Sequence, residues 1–447
     1  MADVKAIDLL ETALARLENA SPFTVHGRVT RVIGQVVEAS SLDVHVGEVC
    51  RIGNLRGSGL LALVVGFHER GVLLMPMGDV QGIHPGATVS PLRRSLYIAV
   101  GESLIGRVLD GLGHPMDQRG PLPRVERRSL DAAPPNPLER SRIRQPLGTG
   151  VRAIDGFLTL GQGQRIGIMA GSGVGKSVLL GMIARRSSAD VNVIALLGER
   201  GREVREFLER DLGSDGLQRS VVVVATGDQP AIVRATGALV ATGIAEYFRD
   251  CGLQVLLMVD SITRVAMAWR EVGLAAGEPP TTKGYPPSVF AQLPRLLERA
   301  GPGSVGGITG LYTVLVEGDD FSEPVADAAR SILDGHIVLA RKLAAAKHFP
   351  AIDVVESVSR VRDSVITAEH REAANTLLHL EAAWRAHEDL IAVGAYKPGA
   401  DRRVDAAMAV REEWLALLRQ SAEEWTPLSD TVRQVRNLAA KVRGGTE

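Results

Sequence analysis

Arg165-Ile-Gly-Ile-Met-Ala-Gly-Ser-Gly-Val-Gly-Lys-Ser177 decides how this chain is read. An apolar run, Ile166 to Ala170, enters a loop with glycine at 171, 173 and 175, and an apolar helix is expected from Val178. A strand that feeds a glycine-rich loop ahead of a helix makes a phosphate cradle, because glycines let successive backbone N–H groups turn inward on an anion. Gly171, Ser172, Gly173, Val174 and Gly175 would form the cradle, Lys176 would reach the terminal phosphates, and the Ser177 hydroxyl would serve Mg²⁺. The general pattern begins with glycine where this chain has Ala170. A strand-turn-helix connection without a ligand is the bland alternative, and loop, Lys-Ser pair and flanking elements together argue against it.

The same pattern extends outward. Between about 145 and 345, apolar runs at Val191 to Leu197, Val221 to Ala225, Val255 to Val259 and Leu311 to Val316 alternate with helical stretches. Apolar strands separated by helices predict an α/β fold on a parallel sheet covered on both faces. Ligands of such sheets lie at the carboxyl ends of the strands, so the polar residues that follow each run are the candidates. They are Gly198-Glu199-Arg200, Asp260-Ser261 and Glu317-Gly318-Asp319-Asp320. Asp260 is placed like a Walker B aspartate that holds Mg²⁺ through water. Glu199 is the candidate for orienting and polarising an attacking water, with a surface ion pair to Arg200 or Arg202 as the alternative.

Upstream, Val4, Ile7, Leu10, Leu14 and Leu17 fall three or four apart, one apolar stripe on a helix within 1–20. Such a stripe packs inside the molecule or docks on a partner or a lipid surface. From 21 to 93, short β-branched stretches separated by glycine (Val25 to Val29, Leu61 to Phe67, Val72 to Met75) predict a small β-barrel or sandwich. The phosphate-loop domain is expected over 94–364, with Gly106 to Pro115 read as turn-rich and Pro134-Pro-Asn-Pro137 as an extended linker. Residues 365–447 read as helical, including Ala382 to Val393 and Asp405 to Leu418.

Composition removes other classes. With 51 basic and 52 acidic residues and 4% aromatics among 447, the chain lacks the basic balance and stacking platforms of a nucleic-acid wrapper. Cys50 and Cys251 make no disulfide framework, and neither cysteines nor the ten histidines have metal-site spacing. No Ser/His/Asp arrangement is legible. Apolar runs fall short of the ~20 residues of a membrane helix, and Asp3, Asp8 and Glu11 stand where a signal peptide would be apolar. A cytosolic chain is expected.

The chain resembles the flagellar and type III secretion export ATPases, relatives of the catalytic subunits of rotary F- and V-type ATPases. The motifs are Gly106 to Asp110 with Gly113 and Pro115, Thr149-Gly-Val-Arg-Ala-Ile-Asp155, Ala170 to Ser177, Gly198-Glu-Arg-Gly-Arg-Glu203, Asp260-Ser-Ile-Thr-Arg264, Gly277-Glu-Pro-Pro280, Lys283-Gly-Tyr-Pro-Pro-Ser288, Glu317-Gly-Asp-Asp320 and Ser331-Ile-Leu-Asp-Gly-His336. They span essentially the whole chain, and the family also begins its phosphate loop with alanine. Gly66-Phe67 with Leu74-Met-Pro76, and Pro134-Pro-Asn-Pro-Leu138, look like the flagellar branch. Val265 stands where the family usually has an aromatic.

The resemblance implies a RecA-like P-loop core between an N-terminal β-barrel and a C-terminal helical domain, hydrolysing ATP with Mg²⁺ in a homohexameric ring to energise flagellar protein export. By motif, Lys176 and Ser177 bind phosphate and Mg²⁺, Glu199 is the catalytic carboxylate with Arg200 beside it, and Asp260 is Walker B. Arg360 in Ser357-Val-Ser-Arg360 matches an arginine finger supplied in trans, and Phe349 before Pro350-Ala-Ile-Asp353 matches the aromatic against adenine. From the residues alone, Arg360 reads as a solvated or ion-paired arginine and Phe349 as a core aromatic. Implied partners are a central coiled-coil stalk protein meeting the Glu317 to Asp320 loop at the ring centre, a peripheral-stalk regulator, the membrane export gate, and export chaperones with their substrates, cargo meeting the C-terminal helices. Implied location is the cytoplasm, peripheral to the inner membrane at the export apparatus. The alternatives are a virulence-type secretion ATPase, a non-catalytic nucleotide-binding ring subunit, and a ring helicase that the aromatic-poor N-terminal segment disfavours.

Overall fold

The computed structural model describes residues 25–53, 59–69, 71–123, 125–316 and 323–444, and the chain divides into two units at Leu96/Tyr97. The expected N-terminal helix and the Glu317 to Asp320 loop lie outside the described residues.

In the first unit, six short strands close an antiparallel barrel in the order β1-β2-β5-β4-β3-β6. They are β1 (Gly27–Ile33), β2 (Val36–Ser40), β3 (Val49–Ile52), β4 (Leu60–His68), β5 (Gly71–Pro76) and β6 (Thr88–Pro91). Alternate residues point inward, so Val29, Val37, Cys50, Ile52, Val64, Val72, Leu74 and Val89 make the barrel core. At the β2–β5 pairing only glycine fits: a Cβ on Gly71 would lie 2.0 Å from the Ala39 carbonyl oxygen.

The second unit is built on a nine-stranded sheet. After β7 (Tyr97–Val100), β8 (Val108–Asp110) and β9 (Glu126–Ser129) come β10 (Arg165–Ala170), β11 (Val191–Leu197), β12 (Ser220–Ala225), β13 (Gln254–Asp260), β14 (Gly307–Leu315), β15 (Gly335–Leu339) and β16 (Ile352–Ser359). The main path runs β16-β15-β10-β14-β13-β11-β12-β8, parallel except for β16, while the short stretch Gly301–Pro302 pairs beside β14 and β7 pairs with β9 apart from the sheet. Every residue of β11 and β12 is buried, as strands covered on both faces require. Helices α1 (Arg152–Phe157), α2 (Lys176–Arg186), α3 (Gly201–Glu206), α4 (Ala231–Asp250), α5 (Ile262–Ala275), α6 (Pro287–Leu297) and α7 (Pro324–Ile332) belong to the same unit.

The structure departs from the sequence expectations in three places. Gly106 to Pro115 is not turn alone: Val108–Asp110 pairs with β12 at the sheet edge, too short and too polar at Asp110 to announce itself. Helix α2 starts at Lys176, two residues ahead of Val178, with Gly175 as its N-cap. The C-terminal stretches are also more broken than expected. Ala382 to Val393 is divided at His387 between α8 (Ala368–Ala386) and α9 (Glu388–Ala392), and Asp405 to Leu418 at Val410 between α10 (Arg402–Ala409) and α11 (Arg411–Leu418). Helix α12 (Leu428–Gly444) completes this region.

The Thr149 to Asp155 motif is architectural. Asp155 is fully buried and accepts from Thr149 N (2.9 Å), Thr149 Oγ1 (2.7 Å) and Gly150 N (3.0 Å), and burial pushes its carboxyl up to about 6. Next to it, Arg152 ties α1 to the C-terminal region through the Leu417 carbonyl (2.8 Å), the Arg419 carbonyl and Glu424. Phe157 stacks edge-on to Trp414, with ring centroids 5.0 Å apart.

A buried ion pair joins α4 to the chain after α6. Arg299 meets both Glu246 oxygens at 2.8 Å and donates to the Leu130 carbonyl at 3.0 Å, with both side chains almost wholly buried. Removing the arginine leaves the Glu246 charge buried, answered among the described residues by Arg128 at 3.6 Å. Arg299→Met is therefore expected to destabilise the fold by about 3–5 kcal/mol, read as a lowered denaturant midpoint.

Candidate active site

The loop between β10 and α2 turns on two left-handed glycines, Gly173 (φ 78°) and Gly175 (φ 91°), a conformation that costs any other residue. Such a turn lets backbone N–H groups face the space ahead of α2, where helix and loop donors add. Ser172 and Gly173 are exposed and Ser177 half-buried, so the loop is open to a ligand. Phe349 lies against it: a Cβ on Gly175 would touch its ring at 3.6 Å. That residue is 41% exposed, not a core aromatic, and its own carbonyl accepts from Gln420 N at 2.9 Å.

Three charged side chains meet beside the loop. Lys176 Nζ pairs with Asp260 Oδ1 and lies 3.6 Å from Glu199 Oε1, all three side chains being largely buried. They come from the carboxyl ends of β13 and β11 and from the start of α2, the convergence that a parallel sheet imposes. Glu199 has its carboxyl raised, chiefly by burial; Lys176 opposes the shift and Asp260 adds to it. Its backbone is set by the neighbouring strand end, with Gly198 N donating to Ala225 O (2.7 Å) and Gly227 N to Glu199 O (3.1 Å).

Two expected residues stand apart from this cluster. The Arg200 side chain is 84% exposed and pairs with Glu203 at 3.2 Å. Arg360 follows β16, whose antiparallel run returns it to the opposite end of the sheet: its N–H donates to Asp334 O at 3.0 Å, and Asp334 N donates to Arg165 O at the start of β10.

Two residues to which the sequence assigned no role belong to the cluster's surroundings. Arg264 packs its stem on Gly198, where a Cβ would come within 3.0 Å of it; its Nε is buried without a partner among the described residues, and its charge favours the ionised Glu199. Its signal was the last letter of Asp-Ser-Ile-Thr-Arg264. Thr313 is fully buried in β14 and donates to Asp260 Oδ1 at 2.7 Å. Its signal was a lone threonine in the apolar run Leu311 to Val316.

The donor set suits Mg²⁺. Ser177 and Asp260 offer hard oxygens, and among the described residues no three His, Cys, Asp or Glu side chains gather into a metal cage. Mg²⁺ is usually bound that way, by one or two protein oxygens with phosphates and water supplying the rest.

Comparison with known proteins gives the family. Residues 150–359 match the ATP synthase alpha/beta family, nucleotide-binding domain; 29–93 match its beta-barrel domain; and 366–437 match the T3SS EscN ATPase C-terminal domain. The chain is 51% identical over 424 residues to the flagellum-specific ATP synthase of Bacillus subtilis, covering 94% of this chain and 97% of that one. The chain belongs to the flagellar and type III secretion ATPase family. Another member, the type 3 secretion system ATPase of Xanthomonas euvesicatoria, is 49% identical over 426 residues, 95% of this chain and 96% of that one. Among solved members, the assembled ATPase EscN of enteropathogenic E. coli superposes with a TM-score of 0.87 at 46% identity, over 92% of this chain and 100% of that chain. EscN in complex with its central stalk EscO gives a TM-score of 0.86 at the same identity and coverage. Among the described residues, no helix of this family member is long and apolar enough to cross a membrane.

Proposed function

We propose that this chain hydrolyses Mg-ATP as a homohexameric ring and energises flagellar protein export. The observation that carries the reading is the meeting of Lys176, Glu199 and Asp260 beside an open phosphate loop. Lys176 neutralises Asp260 before nucleotide arrives, then turns to the terminal phosphates while loop N–H groups hold the rest. Mg²⁺, held by Ser177 and through water by Asp260, would neutralise phosphate charge. Glu199 orients the attacking water and takes up its proton, a task served by a carboxyl raised through burial. Phe349 offers its exposed face to adenine, and Arg360 acts on the site of the neighbouring subunit. Arg200, turned to solvent in a single chain, is available to meet that neighbour.

The flagellar assignment rests on Gly66-Phe67 with Leu74-Met-Pro76 and on Pro134 to Leu138. In this reading the ring sits in the cytoplasm at the inner-membrane export apparatus. It meets a central coiled-coil stalk, as EscN meets EscO, and also a peripheral-stalk regulator, the export gate and chaperone-bound cargo. No nucleic acid takes part. The test is specific Mg-ATPase activity against protein concentration. Activity per chain rises with concentration if sites are completed between subunits; a concentration-independent rate, or ATP binding without turnover at any concentration, contradicts the ring enzyme.

A further inference from the structure

Asp260 Oδ1 takes two donors, the Lys176 ammonium and the Thr313 hydroxyl, and from the described residues Oδ2 takes none. The two donors differ in kind. Lys176 opens α2 on a flexible stem and is the group that must turn to phosphate. Thr313 is fixed: β14 lies in the sheet between the phosphate-loop strand β10 and the Asp260 strand β13, with Thr313 in register with Ile168 and Tyr312 with Val259. Its side chain is fully buried, and its hydroxyl has one further acceptor, Val259 O at 3.3 Å. Packing alone gives no reason for a hydroxyl here, because valine has the same shape and every other residue of the run Leu311 to Val316 but Tyr312 is aliphatic.

When Lys176 leaves for the nucleotide, a nearly buried carboxylate would lose its charged partner. We propose that Thr313 is a positioning residue for Asp260: its hydroxyl stays on Oδ1 through that exchange, fixes the carboxylate plane and leaves Oδ2 free for the water shell of Mg²⁺. Partners that orient a metal-binding carboxylate contribute to metal affinity without touching the metal. The inference rests on the reading of Asp260 as the Mg²⁺ carboxylate.

The test uses the full chain and a fluorescent ATP analogue, with its dissociation constant measured in excess Mg²⁺ and in EDTA. The ratio of the two reports how much Mg²⁺ strengthens binding. Thr313→Val is expected to reduce that ratio about 10-fold with affinity in EDTA unchanged, and Thr313→Ser to restore it. Thr313→Ala should reproduce the loss, so that misfolding of one variant does not decide the outcome. If both Thr313→Val and Thr313→Ala keep the wild-type ratio while Asp260→Asn loses it, the role of Thr313 is overturned and that of Asp260 stands. If Asp260→Asn keeps it as well, the Mg²⁺ reading of Asp260 falls and takes this inference with it.

Discussion

Arg360→Ala is expected to cut kcat for ATP hydrolysis by about 10³–10⁵-fold, or ~4–7 kcal/mol of transition-state stabilisation, while leaving nucleotide affinity within a few-fold of wild type. In the proposed ring this is an effect between subunits. Asp334, which receives the Arg360 N–H, pairs with the start of β10, whereas the phosphate loop leaves from its end. The strand between them, Arg165–Ala170, covers roughly 16 Å at about 3.3 Å per residue, beyond an extended arginine side chain. Arg360 therefore does not serve the phosphates of its own chain. Its exposed position suits a neighbour's site, where a guanidinium meets charge that develops only as the phosphoryl transfers. Loss of kcat with retained binding is the signature to measure; unchanged kcat in assembled Arg360→Ala would remove the residue from the chemistry.

Glu199→Gln should lower kcat by about 10²–10⁴-fold with binding again preserved, because the amide keeps the shape and hydrogen-bonding reach but takes no proton. The charge balance sharpens the expectation. One ammonium, Lys176, stands between two carboxylates, and burial already disfavours the ionised Glu199. A base must be ionised to act, so the acid limb of the kcat profile should fall as pH drops through a value above the ordinary glutamate range. The residual activity of Glu199→Gln should lack that limb. Comparable turnover in wild type and variant would leave Glu199 as a structural partner of Lys176.

How much of this is legible in the sequence depends on what each residue has to reveal. Lys176, Glu199 and Asp260 follow from one rule, that parallel strands deliver their next residues to a common edge, and the structure does bring these three together. Phe349 and Arg360 have no such rule. Their positions depend on β16, whose Asp353, Glu356 and Ser357 interrupt the apolar pattern that marks the other strands. Thr313 and Arg264 meet the cluster through contacts with Asp260 and Gly198, and contacts between elements are not written in the order of residues along one of them. The helical end was visible as composition, while its breaks at His387 and Val410 carry neither glycine nor proline to mark them.

The most direct test of a site shared between subunits is to assemble rings from Glu199→Gln and Arg360→Ala chains together. Each variant alone lacks one group at every interface. In random rings assembled from equal amounts of the two, about one interface in four joins an intact Glu199 to an intact Arg360. The shared-site account predicts Mg-ATPase activity in the mixture well above the sum of the two variants measured apart. Activity no greater than that sum would place both groups in one subunit's site, or outside the chemistry altogether.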